Sequence, residues 1–168
     1  MITSNQLLQE FESATDAYVR IVSSLSQEDL NTVPYEGSWT VAQITEHIFK
    51  SDNAVLKALY GPVQTTSRPA DKGVEKLRSI FLDFSTKLNS PEFIIPTDVK
   101  HDKEQLITAF KGVRDLIAKA IKTLDLTVTC SMPIFGEPTR LELISFVIFH
   151  TQRHTNQVQH IFEKLIHA

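Results

Sequence analysis

Apolar residues recur at steps of three and four along five long stretches of the chain, and this helical period limits the fold more than any other feature. The stretches cover about residues 4–25, 40–60, 71–88, 102–124 and 139–166. One short extended piece, LTVTC, has no obvious partner strand. Because long amphipathic helices must bury their apolar faces against one another, the pattern predicts an all-α bundle of at least four helices.

Polar residues mark the start of two of these helices. Thr40 with Gln43, and Thr139 with Glu142, have the spacing of a capping box, in which each side chain bonds the backbone N–H of the other residue. The connecting segments are too short and too apolar for flexible linkers between domains. We therefore expect residues 1–168 to form a single helical-bundle domain.

Charge and composition exclude several classes of function. The formal net charge is −3 with neutral histidines, and Lys and Arg form no run, so we expect no nucleic-acid partner. No apolar run approaches the roughly 18 residues of a membrane span, so we expect no membrane partner. The N-terminal sequence lacks the pattern of a signal peptide, and a lone Cys130 cannot form an internal disulfide. These features predict a cytoplasmic protein.

The stretch FHTQRHTNQVQHI, residues 149–161, holds three of the six histidines of the chain. His150 and His154 are four residues apart, so they lie about 40° apart on one face of a helix. That face borders the apolar stripe, so both side chains are expected to point inward, where two imidazole nitrogens can hold a metal ion. His160 lies about 120° from His154 around the helix, which makes it a poor third ligand.

A third inward histidine must come from another helix, and His47 is the candidate. It lies between Ile44 and Ile48 on the apolar face of the second helix, at a depth similar to that of the pair. His101 and His167 are expected to be solvated. From the residues alone, two interpretations of the inward histidines stay open, namely metal ligands and hydrogen-bonded core residues.

Two sequence motifs add a resemblance to a known family. GSWTVAQITEHI, followed far downstream by TRLELISFVIFHTQRHTNQVQHI, resembles the DinB-like (DinB/YfiT-type) superfamily of metal-dependent enzymes. The family pattern places a histidine eight residues after a tryptophan, as with Trp39 and His47, and a His-x-x-x-His pair in the last helix. The resemblance extends over the whole chain. It implies a four-helix bundle of up-down-down-up topology, here with an additional helix and long connecting loops.

The same resemblance implies a divalent metal ion, zinc or nickel, bound by His47, His150 and His154. Three neutral protein ligands leave a coordination position open, which is typical of a catalytic metal. The family resemblance favours a low-molecular-weight-thiol S-transferase with a small-molecule substrate. The alternatives are a metal-dependent hydrolase that uses a metal-bound water, and a non-catalytic, stress-associated metal-binding bundle. The family also suggests a homodimer, for which the apolar loop 132–135 is a candidate surface.

The sequence provides only weak candidates for catalytic residues. Arg153 lies about 100° from the ligand face and is a candidate for binding an anionic group, and Glu46 lies close to the histidine of the second helix. Glu46 and Asp52 are expected to be solvated or to support a ligand, and Gln43 is a further candidate partner for a ligand nitrogen. Trp39 is expected to pack at the start of its helix. The sequence identifies neither the metal, the substrate nor the role of Cys130.

Overall fold

The computed structural model of the chain describes residues 2–166 and is predominantly helical. Within these residues there are six α-helices, two short strands and one 3₁₀ turn, Glu92–Ile94. The helices are α1 (Ser4–Ser24), α2 (Gln27–Leu30), α3 (Val41–Leu59), α4 (Val74–Phe81), α5 (Lys103–Thr123) and α6 (Arg140–Ile166). The strands are β1 (Val63–Gln64) and β2 (Thr129–Cys130). The four long helices, α1, α3, α5 and α6, form the predicted bundle.

Two apolar clusters at opposite ends of the bundle define the directions of its helices. One cluster combines Leu7 at the start of α1 with Leu59 at the end of α3, Ile121 at the end of α5 and Leu141 at the start of α6. The other cluster joins the opposite ends of the same helices. Helices α1 and α6 therefore run in one direction and α3 and α5 in the other. The up-down-down-up topology expected from the family resemblance is confirmed.

The connection between α3 and α5 is long because these two helices run in the same direction. The chain must return along the length of the bundle before α5 can begin, and it does so through residues 60–102. This connection contains the additional helix α4, which packs against α6, and the 3₁₀ turn, which packs against α3. The predicted additional helix and long loops are thus present, and they bring the crossing segment to the side of α3 and α6.

The third predicted helix, 71–88, is wrong at its C-terminal end, because α4 ends at Phe81. The Asp83 carboxylate accepts hydrogen bonds from the backbone N–H and hydroxyl of Ser85 and from the hydroxyl of Thr86. Such local side-chain bonds offer the backbone a turn in place of the next helical turn. Phe84, which the helical period placed on the apolar face, is instead 50% exposed.

The segment LTVTC does have a partner strand. Val63 pairs with Cys130 and Gln64 with Thr129 in an antiparallel ladder. The partners lie more than 60 residues apart in the chain, and each strand has only two residues, so no local alternation signals them. The short ladder fastens the start of the long connection to the segment that leads into α6.

Both predicted capping boxes are confirmed. The Thr40 hydroxyl accepts from the Gln43 N–H at 3.1 Å, and the Gln43 side chain accepts from the Thr40 N–H at 2.9 Å. Thr139 and Glu142 make the equivalent two bonds at 3.1 and 2.8 Å. These caps fix the first residues of α3 and α6, the two helices that carry the inward histidines. Among residues 2–166, no helix combines the length and the apolar character needed to cross a membrane.

Candidate metal centre

Three histidines from two helices meet in the interior of the bundle. His47 comes from the second turn of α3, and His150 and His154 come from successive turns of α6. The Nε2 atom of His150 lies 3.0 Å from the Nε2 atom of His47 and 3.0 Å from that of His154. All three side chains are buried, with exposed fractions of 2%, 5% and 9%. We call these three residues the histidine triad.

Hydrogen bonds on the far side of two rings determine which nitrogens face the centre as acceptors. The Nδ1 atom of His47 lies 2.9 Å from the carbonyl oxygen of Ile94, which can only accept, so Nδ1 donates and Nε2 carries a lone pair. The Nδ1 atom of His154 makes the same kind of bond to the side-chain oxygen of Gln157 at 2.8 Å. His150 can donate its single proton to only one of these two lone pairs.

Burial also keeps the triad unprotonated. Desolvation is the main cause that lowers the pKa of His47, and it lowers the pKa of His154 to about 3. The pKa of His150 lies well below its ordinary value, first because of burial and then because of the two neighbouring imidazoles. All three rings are therefore neutral near pH 7, which is the protonation state that a metal ligand requires.

The donor set fits a divalent cation. Metal–nitrogen bonds of about 2.0–2.1 Å that meet at about a right angle place two ligand nitrogens about 3 Å apart. The triad has this spacing, and its three ligand nitrogens all lie within 4.8 Å of one another. Lone pairs that face one another in a buried site repel, and a cation between them turns that repulsion into coordination. The histidine triad thus has the chemistry, protonation state and spacing of a three-imidazole metal site.

Aromatic rings hold the triad in place. The Phe146 ring stacks on His150 with centroids 5.1 Å apart and planes 21° from parallel. The Trp39 ring lies 5.2 Å from that of His47, so the tryptophan packs against the triad. Nδ1 of His150 has no hydrogen-bond partner within residues 2–166. The orientation of this ring therefore rests on aromatic packing, whereas the other two rings are also oriented by hydrogen bonds.

A cavity of about 570 Å³ opens from the triad towards α4 and the long connection. Its wall is largely apolar and includes Leu77, Phe81, Phe93, Ile94, Phe135 and Phe146. All three triad histidines and Ser51 also line it. Met132 and Phe135, the first and last residues of the loop 132–135, both belong to this wall. The fold thus provides space for a small molecule whose inner end reaches the triad.

Glu46, a weak catalytic candidate that was expected to be solvated or to support a ligand, is instead buried and bonded to groups away from the cavity wall. Its Oε2 atom accepts from the N–H and the hydroxyl of Thr97, both at 2.9 Å, and lies 3.1 Å from Nε2 of His101. Its Oε1 atom forms an ion pair with Lys50 at 3.0 Å. Burial alone would raise the pKa of Glu46, but the bonds from Lys50 and Thr97 outweigh it and lower the pKa. Glu46 therefore fastens the segment 97–101 to α3.

Arg153, the other weak candidate, lines the cavity, but its guanidinium group holds a loop. It donates to the carbonyl oxygens of Phe81, Asp83 and Thr86, all of which lie at or just after the end of α4. Because Leu88 and Ser90 of the same loop also line the cavity, Arg153 positions part of the cavity wall. The sequence placed this residue beside the ligand face but gave no sign of these partners.

The expectation that Asp52 is solvated is wrong. Asp52 is 1% exposed and forms an ion pair with Arg114 of α5, with Oδ2 and Nε 2.9 Å apart. Arg114 is itself 2% exposed and donates to the hydroxyl of Thr151 at 2.6 Å. The sequence missed this pair because an Asp and an Arg on helices more than 60 residues apart have no local signature.

The remaining polar candidates have structural positions. Gln43 bonds Thr40 and the carbonyl of Thr97, so the ligand-supporting role considered for it belongs to the Ile94 carbonyl instead. His101, expected to be solvated, contacts Glu46, whereas His160, predicted to be a poor third ligand, is exposed and lies outside the triad. His167 lies outside the described residues. Burial raises the pKa of the Cys130 thiol, which makes this cysteine a poor nucleophile.

The fold and the triad define a class, a four-helix bundle with three converging histidines in its interior. The chain belongs to the DinB superfamily, whose model matches residues 10–158. It is also 27% identical to the uncharacterized protein YuaE of Bacillus subtilis (strain 168) over 150 residues, which cover 88% of this chain and 91% of that protein.

Two solved structures share the fold. TT2238, described as a four-helix bundle protein, superposes with a TM-score of 0.61 at 18% identity and covers 94% of this chain and 99% of its own. YfiT from Bacillus subtilis superposes with a TM-score of 0.62 at 16% identity and covers 98% of this chain and 90% of its own. YfiT is described as a probable metal-dependent hydrolase with an unusual four-helix bundle topology.

Proposed function

We propose that the protein is a metal-dependent enzyme that binds one divalent ion, zinc or nickel, through His47, His150 and His154. The spacing, burial and neutral charge of the triad support this assignment. YfiT, which shares the fold, is described as a probable metal-dependent hydrolase, and this description also supports the assignment of a metal site. Three imidazoles from protein leave coordination positions for a substrate, and a divalent ion there lowers the pKa of a thiol or water that binds to it.

The reaction that we propose is the transfer of a low-molecular-weight thiol to a small electrophile. One observation supports transfer over hydrolysis: among the described residues, no uncommitted carboxylate lies in the buried part of the cavity wall. Glu142, which does lie there, accepts from both terminal nitrogens of Arg68 at 2.7 Å and from the N–H of Gly73 at 2.7 Å. A thiol that is already ionised needs no general base, whereas hydrolysis normally uses one.

The residues of the chain then have defined tasks. The Ile94 carbonyl and Gln157 hold two imidazoles with their lone pairs towards the centre. Phe81, Phe135 and Phe146 keep water from the inner cavity and provide an apolar surface for the electrophile. Arg153 holds the loop that completes this wall, and it stays a candidate for contact with an anionic substrate.

Hydrolysis is the second candidate, because YfiT is described as a probable metal-dependent hydrolase. It normally requires a base, which the buried part of the described cavity wall does not supply. The third candidate, a non-catalytic metal-binding bundle, shares the triad and differs only in lacking turnover. Cytoplasmic location and a homodimer through the loop 132–135 stay predictions, and the 67% exposure of Ile134 in that loop is compatible with the latter.

One experiment separates the three candidates. Untagged protein is stripped of metal, reloaded with Zn²⁺ or Ni²⁺, and assayed with coenzyme A or 2-mercaptoethanol plus monobromobimane. It is assayed separately with a p-nitrophenyl ester panel without thiol. We expect metal-dependent bimane transfer that is lost in His150→Ala and kept in His160→Ala, an exposed histidine on the same helix. Ester hydrolysis alone would support the hydrolase. A metal that raises the melting temperature without turnover in either assay would support the non-catalytic bundle.

A further inference from the structure

Ser51 is a buried residue whose hydroxyl group faces the cavity. It follows His47 by one turn of α3, so the two side chains lie on the same face of the helix. Ser51 is 2% exposed and lines the cavity together with the histidine triad. Within residues 2–166 its hydroxyl makes no hydrogen bond. Because Ser51 lines the cavity, water or a bound molecule there can accept a hydrogen bond from this hydroxyl.

Other buried hydroxyls of the long helices behave differently. Thr45, Ser145 and Thr151 each donate to the carbonyl oxygen one turn earlier, at 2.8, 2.9 and 2.7 Å. This bond is available to any serine or threonine inside a helix. Ser51 has the same opportunity at the carbonyl of His47 and does not use it. The side chain is instead free to bond to a molecule in the cavity that it lines.

Outside the histidine triad, Ser51 is also the one uncommitted polar residue in the buried part of the described wall. Besides the triad, the other buried polar residue there is Glu142, whose oxygens are occupied by Arg68, by Gly73 and by the start of α6. The rest of the inner wall is apolar, with Phe146, Ile94 and Met132 closest to full burial. A ligand that fits this inner wall is apolar next to a single polar end at the triad, whereas the cations of the cavity wall, Arg68, Lys76 and Arg153, are partly or fully exposed.

The charge of that polar end follows from the ligand set. Three neutral imidazoles compensate none of the charge of a divalent ion, and no uncommitted carboxylate lies in the described buried wall. An anionic donor atom is therefore favoured at the ion. A serine hydroxyl beside it can donate to such an atom, and hydrogen bonds to charged groups are the stronger class.

We propose that Ser51 binds the substrate by donating a hydrogen bond to the anionic atom at the histidine triad, and that the part of the substrate next to that atom is apolar. This inference rests on the proposed function, since it takes the triad to hold a metal ion. It assigns Ser51 to contact with the ligand rather than with the metal, and it selects thiols that are apolar next to the sulfur over thiols that carry charges there.

The test uses the full-length protein loaded with Co²⁺, whose absorption reports both metal binding and thiolate coordination. The dissociation constant of phenylmethanethiol is measured for wild type, Ser51→Ala and Ser51→Thr, which keeps a hydroxyl. Ser145→Ala is the matched control, because it removes a buried helical serine hydroxyl that does not line the cavity. Mercaptosuccinate, a thiol with two carboxylates, tests the preference for an apolar body.

We expect Ser51→Ala to raise the dissociation constant of phenylmethanethiol about tenfold to a hundredfold, as for loss of a hydrogen bond to a charged atom. Co²⁺ affinity should stay unchanged, Ser51→Thr and Ser145→Ala should bind like wild type, and mercaptosuccinate should bind at least about tenfold more weakly. Tight Co²⁺ binding with equal phenylmethanethiol affinity in Ser51→Ala overturns this inference alone. Equal affinity for the two thiols overturns the apolar-substrate part, and failure to bind Co²⁺ overturns the proposed function as well.

Discussion

Replacing Arg114 with methionine would leave the Asp52 carboxylate buried among the long helices without its counter-charge. The two groups are 2.9 Å apart and only 2% and 1% exposed. The Nε–H group of Arg114 is not aligned for a hydrogen bond to Oδ2 of Asp52, so the attraction between the two side chains is mainly ionic. Removal of one partner from a buried ion pair costs about 3–5 kcal/mol, which is a large fraction of the roughly 5–15 kcal/mol that stabilises a typical domain. We expect a loss of this size for Arg114→Met at pH 8.

The loss should depend on pH in a defined direction. Burial raises the pKa of Asp52 from 3.8 to about 6, and Arg114 is the main cause acting in the opposite direction. Without Arg114 the folded-state pKa of Asp52 rises further. The folded state then binds a proton that the unfolded state has released, so the free energy of unfolding falls as the pH rises, by up to about 1.4 kcal/mol per pH unit. The difference between wild type and Arg114→Met should therefore shrink from pH 8 towards pH 5.

Urea unfolding followed by circular dichroism at pH 5, 6, 7 and 8 measures this difference. Arg20→Met is the control, because Arg20 is exposed on α1 and the same substitution there should change stability by less than about 0.5 kcal/mol. Adding Asp52→Asn to Arg114→Met should abolish the pH dependence and recover part of the loss. A loss below about 1 kcal/mol at pH 8, or a difference that does not change with pH, would refute the reasoning.

Three further substitutions test separate parts of the structure. Ile134 has a φ of 81°, a strained value for a β-branched residue, so Ile134→Gly should raise the free energy of unfolding by about 1 kcal/mol in urea denaturation. Thr139→Val removes both the cap of α6 and a 2.6 Å hydrogen bond to the carbonyl of Ala70, and should lower the melting temperature through a loss of about 2 kcal/mol. Arg153→Gln should raise amide hydrogen exchange in the loop 82–90 about tenfold while metal content stays constant; unchanged exchange would mean that Arg153 does not hold the loop.

Helical period and capping residues were sufficient to predict the bundle and the starts of α3 and α6. Both signals are local, since they depend on residues three or four apart. The same reasoning placed each of the three histidines on the inward face of its helix, at similar depths along the bundle. It failed at the end of α4, where the side chain of Asp83 forms a competing turn that the apolar spacing of Phe84 concealed.

Features that join distant parts of the chain were not predictable from local patterns. The Ile94 carbonyl reaches His47 from the long connection, and the pairing of β1 with β2 and the Asp52–Arg114 ion pair also link separate segments. Ser51 carried no signal in the sequence, because a serine within a helix normally bonds to its own backbone. Its importance depends on an unused hydrogen bond, which only the packed structure reveals.

The metal content of the native protein tests the central claim most directly. Untagged wild type, His150→Ala and His160→Ala are purified in parallel and analysed by inductively coupled plasma mass spectrometry. His150 is 5% exposed and central to the triad, whereas His160 is exposed on the same helix, which makes the two substitutions a matched pair. We predict one divalent ion per chain in wild type and His160→Ala and none in His150→Ala. Equal metal content in all three proteins, or no metal in wild type after incubation with Zn²⁺ and Ni²⁺, would contradict the assignment of the histidine triad as a metal centre.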